Sequence, residues 1–279
     1  MRRSPKQGFT LLELSIVLVI IGLLIGGIFV GQSLIHTAQL NAVVSEFNKY
    51  QTSVQNFKQQ YQALPGDMSN ASSFWGPADG STGNTAGCLT TASTTSATCN
   101  GDGNGIITYV TGSYEFLRFW QHLANAKMIE GQYSGAEAGG GGTSAVPGTN
   151  IPTSKYPNGA WSVWTSMLAQ GGNYTLCGTN TVQLYGADYG TGHILIFGAP
   201  WSTCVTASQP IITPKDAWSL DKKVDDGKPG TGNIIGNMYN GGFGSATACG
   251  SAANTNDLTG TYNLNNSVIS CTLFFIAGF

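Results

Sequence analysis

The chain has 279 residues, of which only 9% are charged, and a formal net charge of −2. So sparse and mildly acidic a charge set excludes general electrostatic binding to nucleic acid. Glycine, serine, threonine and asparagine are abundant beyond the N-terminal segment, and they predict a polar, uncharged exterior of the kind common in exported proteins.

The first element is a basic, polar leader, residues 1–8, with Arg2, Arg3 and Lys6. An apolar run follows from Phe9 to Ile35, and its one charged residue is Glu13. Its length suffices to span a bilayer as a helix. The cations before it hold the leader in the cytoplasm and send the rest outward. A secretory signal peptide fits poorly. The run exceeds a usual apolar signal core, and no small-x-small site follows it, since His36 stands three residues before the break at Ala38. A plain membrane anchor explains the length but not Glu13. A carboxylate at the centre of a membrane helix costs about 2.5–3.5 kcal/mol, and less near the interface. Such a group calls for a partner, and the expected one is a neighbouring copy's new amino terminus, exposed by cleavage between Gly8 and Phe9.

Gly8-Phe9-Thr10-Leu11-Leu12-Glu13 resembles the prepilin cleavage and methylation motif of type IV pilins and of the pseudopilins of type II secretion. Four features carry the resemblance: the basic leader, the Gly–Phe junction, an acid five residues into the mature chain, and an unbroken apolar helix. The strong match covers roughly residues 1–65. It implies cleavage after Gly8 by prepilin peptidase, N-methylation of Phe9, and a docking role for Glu13. Cleavage removes three cations and takes the formal charge to −5, the new amino terminus not counted.

Beyond the apolar run the helix changes character without a break. Leu40, Val43, Val44, Phe47, Tyr50, Val54, Phe57 and Tyr61 recur every three or four residues, which predicts one buried stripe. Leu64-Pro65-Gly66 ends the helix. The predicted division is leader 1–8, helix 9–64 (apolar over 9–35, amphipathic over 36–64) and one head, 65–279. Gly22, Gly26, Gly27 and Gly31 fit either close helix packing in a membrane or a stretch that loses helicity on assembly.

In the head, strand-like runs are Gly105–Val110, Trp161–Leu168, Tyr174–Tyr185, His193–Phe197 and Tyr262–Phe275. Helices are predicted at Tyr114–Ile129 and Pro214–Val224, with long loops such as Ala138–Pro152 between elements. The fold class is α+β. The resemblance implies the type IV pilin fold, a long N-terminal α-helix packed on an antiparallel β-sheet head.

Asn100-Gly-Asp102-Gly-Asn104-Gly105-Ile106 alternates oxygen side chains with glycine, as the start of an EF-hand loop does. Asn100, Asp102, Asn104 and the Ile106 carbonyl form a candidate calcium set. Thr111 stands where the closing glutamate belongs, so Glu115 is the alternative closing ligand. A plain Asx/Gly turn feeding a strand needs no metal. Asp221, Asp225 and Asp226 form a second acidic set, resembling the late-loop calcium ligands of some pseudopilins. The preferred reading is a helix C-terminus at Gly227 with Lys222 and Lys223 near it. Six cysteines predict disulfides in an oxidising compartment, with 15 connectivities available. The simplest assignment pairs sequence neighbours: Cys88–Cys99, Cys177–Cys204 and Cys249–Cys271. No C-x-x-C occurs, which argues against zinc.

No G-x-S-x-G, H-E-x-x-H or Walker A pattern occurs, and His36, His122 and His193 have no partnered motif. Core packing is the expected use of His122 and of Trp75, Trp161, Trp164, Trp201 and Trp218. The resulting expectation is a structural subunit, not an enzyme, of a type IV pilus or pilus-like filament. Its partners are copies of itself and related pilins, prepilin peptidase, the inner-membrane assembly platform, and the membrane before assembly. The expected location is the bacterial inner membrane with the head outside the cytoplasm, then an extracellular pilus or periplasmic pseudopilus. Structural calcium is the one cofactor considered. A type II secretion pseudopilin and a minor pilin with an adhesive head share every N-terminal feature and stay open. An anchored enzyme is the outlying alternative.

Overall fold

The computed structural model describes residues 8, 10–84, 88, 91–107, 109–110, 113–136, 145–165, 173–177, 180–183, 192–201, 204, 206–236, 249–251 and 258–279. For 109–110, 113–114, 173–177 and 180–183 the description is of backbone alone.

Helix α1 runs Leu11–Tyr61. Its 51 residues, rising 1.5 Å each, make a rod of ~77 Å. Thr10 caps its start: the hydroxyl accepts the Glu13 N–H, and the Glu13 side chain accepts the Thr10 N–H. Its end falls short of the expected residue 64. Gln62 adopts a left-handed conformation (φ 53°) and its N–H closes on Lys58 O at 2.9 Å. Pro65 disfavours helix at Leu64, so the chain turns before reaching it. The helix is continuous through Gly22–Gly31 in the single subunit.

The two halves of α1 have different surroundings. Large apolar side chains from Leu11 to Ile35 are all exposed, from 45% at Ile21 to 88% at Leu11. Leu40, Val43, Phe47, Tyr50, Val54 and Phe57 are buried against the head.

The head is built on a four-stranded antiparallel sheet in the order β3 (Ala160–Thr165), β6 (His193–Gly198), β10 (Leu273–Ala277), β7 (Ile234–Gly236). In register, Trp161 stands opposite Phe197 and Phe197 opposite Leu273. Strands β6 and β10 are apolar nearly throughout, consistent with a sheet buried on both faces. Phe47 of α1 meets Phe275 at 4.8 Å between ring centroids, and Tyr50 meets Trp161 edge-on at 5.7 Å. At the far end Phe279 reaches a groove beside Lys58, Tyr61 and Leu64. Strand β10 therefore runs alongside α1 in the same direction, away from the apolar half.

Helix α2 is a single turn, Ala71–Trp75. Helix α3, Glu115–Asn125, is shorter than the expected 114–129 because Lys127 (φ 60°) breaks it. Every residue from Glu115 to Ala124 is buried, not one face alone. Helix α4 spans Pro214–Val224, with Thr213 as its cap and Pro214 in its first turn.

Three strand expectations are corrected. Among the described residues of the 105–110 run only Tyr109–Val110 is a strand (β1, paired with β2, Ser113–Tyr114), because Asp67 and Asn104 take the N–H groups of Gly105 and Ile106. The 174–185 run is a hairpin, β4 (Asn173–Cys177) and β5 (Asn180–Gln183), and its end lies outside the described residues. The 262–275 run is also two strands. Thr261–Tyr262 (β9) pairs with Gly250–Ser251 (β8), then Asn266 folds the chain before β10.

Candidate functional site

Glu13 sits in the first turn of α1, beside solvent-exposed leucines. Its carboxylate accepts the Thr10 N–H at 2.8 Å and the Thr10 hydroxyl at 2.9 Å. In the lone subunit the helix start is thus the partner of Glu13. The Thr10-x-x-Glu13 spacing shows this in the sequence, though reading Glu13 for membrane cost alone overlooks it. Phe9 lies outside the described residues.

Two contacts fix where the head begins. His36, one residue past the apolar run, meets Asp216 of α4 at 2.9 Å. Higher up, buried Glu46 accepts three hydrogen bonds: from the Ser154 hydroxyl (2.6 Å), the Lys155 N–H (2.7 Å) and the Trp161 indole N–H (2.8 Å). An acid on the buried side of an amphipathic helix stands out in sequence, but its partners more than 100 residues away do not.

The 100–106 loop wraps around a residue the sequence reading omitted, Asp67. Asn104 N–H donates to Asp67 Oδ1 at 3.0 Å and Gly105 N–H to Oδ2 at 2.9 Å. Gly101 packs so closely on the Asp67 backbone that an added Cβ would overlap it. Glu115, at the start of α3, accepts the Asp102 N–H at 3.0 Å. Ligand atoms of Asp67, Asp102 and Glu115 all lie within 4.8 Å of one another. Asp67 and Glu115 are buried, Asp102 is exposed. Burial, then the neighbouring acids, push the Asp67 carboxyl up to about 7. A proton or a hard cation relieves this repulsion.

The side-chain oxygens of Asn100 and Asn104 are taken by backbone N–H groups. Asn100 turns away, its Oδ1 accepting the Ser72 N–H at 2.7 Å and its Nδ2 donating to Asn84. Asn104 Oδ1 accepts the Ile106 N–H, and its amide donates to Asp102. Ile106 thus enters through its N–H in an Asx turn. Thr111 lies outside the described residues.

Asp221, Asp225 and Asp226 also converge within 4.8 Å. Each is occupied in tying down the chain after α4. Asp221 accepts from Gly227 N–H and the Tyr262 hydroxyl, Asp225 from the N–H groups of Asn233 and Ile234, and Asp226 from Lys228 N–H and the Thr231 hydroxyl. Burial pushes Asp221 up to about 7. Asp225 caps the helix, two residues before Gly227.

Residues 3–29 match the family model of the prokaryotic N-terminal methylation motif. The chain carries the prepilin signature of type IV pilins and pseudopilins. Comparison with curated proteins and with solved structures found no match. The long N-terminal helix and antiparallel sheet form an α+β fold consistent with the type IV pilin fold. Its motif implies processing by prepilin peptidase and assembly into pilin-type filaments. α1 is the one helix among the described residues long and apolar enough to cross a membrane, which fits membrane anchoring before assembly.

Elsewhere the head is braced. Disulfides join Cys88 to Cys99 and Cys249 to Cys271. Cys204 is also disulfide-bonded, and the side chain of Cys177 lies outside the described residues. His122 is fully buried and held neutral, near 3, by burial first and then by Arg118. Its Nδ1 accepts the Gly66 N–H at 2.9 Å, which leaves Nε2–H to face the Thr98 hydroxyl at 3.0 Å. His193 accepts the Ile107 N–H at 3.0 Å and contacts Phe279 O at 2.8 Å. These histidines brace loops. Trp161 is wholly buried, and Trp75, Trp164 and Trp218 pack against the core.

Proposed function

We propose that this protein is a structural subunit of a type IV pilus or pilus-like filament. The observation that carries the reading is the asymmetry of α1, whose exposed apolar half bears Glu13 at its start while the other half is fastened to the head. Lipid covers that half before assembly, and the apolar helices of other copies cover it afterwards. Leader removal after Gly8 frees the Phe9 amine, which is then methylated. On docking, Glu13 exchanges its Thr10 bonds for the Phe9 amine of an adjacent subunit. Pairing offsets the cost of taking both charges from water. A Glu13→Ala chain should reach the membrane with its head folded and yield few filaments. Wild-type filament yield from that chain would contradict the reading.

We also propose a structural calcium ion in the head, held by Asp67, Asp102 and Glu115. Hard oxygen donors from three chain segments suit this ion, and neutralising them would fasten the 100–105 loop to the end of α1. Calcium that leaves the melting temperature of the chelator-treated protein unchanged at neutral pH would overturn this part.

A further inference from the structure

The base of the head carries an apolar loop, 263–270. Leu264, Val268 and Ile269 are 49%, 65% and 57% exposed. They are three of the five exposed large apolar side chains described beyond α1, the others being Phe74 and Val224. The loop is well braced: Asn266 accepts the Val268 N–H and donates to Ser270. No charged residue occurs from Leu258 to Phe279.

Direct contacts place this loop at the level where α1 leaves its apolar run. His36 meets Asp216 at 2.9 Å, and the Asp216 N–H donates to the Thr213 hydroxyl at 3.2 Å. The Ser270 N–H donates to Ile212 O at 3.1 Å, and Ile212 pairs with Cys271. The descent of the chain gives the same level. From Phe275, which faces Phe47, six residues back to Ile269 in extended form cover ~20 Å. That distance equals ~13 residues of α1, which reaches the vicinity of Leu34. Exposed Lys215 lies close by, at the start of α4.

We infer that Leu264, Val268 and Ile269 form a second membrane contact, resting in the outward-facing leaflet of the bilayer that α1 crosses. The inference rests on the membrane-spanning reading of α1 before assembly. The loop stands at the level where α1, itself apolar and exposed up to Ile35, enters lipid in that reading. Its asparagines and serines suit the headgroup zone, and Lys215 is placed for lipid phosphates. One helix alone leaves the head free to swivel. Two contacts fix the head's tilt on the membrane, and the orientation in which its sides meet an incoming subunit.

The test is photo-crosslinking of the full chain in vesicles of phosphatidylethanolamine and phosphatidylglycerol. p-Benzoylphenylalanine replaces Ile269, Phe74 at the opposite end of the head, or Ile20 within α1. The prediction is lipid adducts at positions 20 and 269, the latter several-fold above position 74. Adducts at 20 with none above background at 269, or crosslinks from 269 only to a second copy of the chain, overturn the inference alone. No adduct at 20 overturns the membrane-spanning reading, and this inference with it. If the Ile269 variant misfolds, hydrogen exchange of unmodified protein decides: protection of 263–270 in vesicles over detergent supports the contact, and its absence rejects it.

Discussion

Glu46 on α1 accepts the indole N–H of Trp161 on β3 at 2.8 Å, across 115 positions of sequence. This is the point at which the long helix is locked to the sheet, beside the edge-on rings of Tyr50 and Trp161. The same carboxylate satisfies Ser154 and Lys155. Glu46→Ala leaves these donors without their acceptor and should cost about 2–4 kcal/mol. Glu46→Gln, which keeps an acceptor oxygen, should cost less. Thermal denaturation of the detergent-solubilised chain measures both, and equal melting temperatures for Glu46→Ala and wild type would remove the lock from the account.

The Thr10–Glu13 box allows the helix-capping and charge-pairing roles of Glu13 to be separated. Glutamine retains the cap but carries no charge. If Glu13 acts by pairing with a neighbour's amine, Glu13→Gln should lose filaments nearly as fully as Glu13→Ala, while Thr10→Ala assembles. Filament yield by electron microscopy of sheared material reads the difference. Assembly rescued by Glu13→Gln would assign Glu13 to the cap.

Asp67 and Asp221 both have carboxyls raised from 3.8 to about 7. The folded state binds these protons more tightly than the unfolded chain. The resulting stability is complete below the unfolded value, near 3.8, and is lost as pH rises through about 7. In chelator, melting temperature should therefore fall between acidic and neutral pH from these groups. Asp67→Asn should flatten part of the slope and leave the share due to Asp221. Calcium should raise the melting temperature more at neutral than at acidic pH, and a uniform effect would argue against binding at the Asp67 cluster.

Arg118 and the Cys88–Cys99 disulfide hold the same segment. Buried Arg118 donates to Cys88 O at 2.7 Å and to Thr91 O at 2.8 Å. Replacing both cysteines by serine removes a crosslink of sequence separation 11 and should cost ~2–4 kcal/mol. Arg118→Met should cost a comparable amount. Combined, the changes should cost less than their sum, because either one already loosens the segment the other holds. Strict additivity in denaturant titrations would contradict the shared role.

The elements most legible in the sequence are those set by local physics. α1 follows from periodicity and from Pro65, and α4 from Thr213-Pro214 and the apolar spacing to Leu220. The strands were harder to read because apolar runs such as 262–275 continue across a turn made by Asn266. Asp67 went unread because it lies 35 residues before Asp102, and only the folding of the 100–105 loop around it unites them. Asn100 looked like a ligand by alternation, yet its amide is taken by Ser72 and Asn84 from a neighbouring loop. Glu13 was conspicuous as an isolated charge, while its Thr10 partner needed the capping pattern to be read as well.

The most direct test of the filament account is mass spectrometry of this protein from sheared extracellular filaments. The account predicts an abundant chain that begins at N-methylated Phe9. A chain still beginning at Met1 and absent from filaments, in a host that processes its other prepilins, would contradict it.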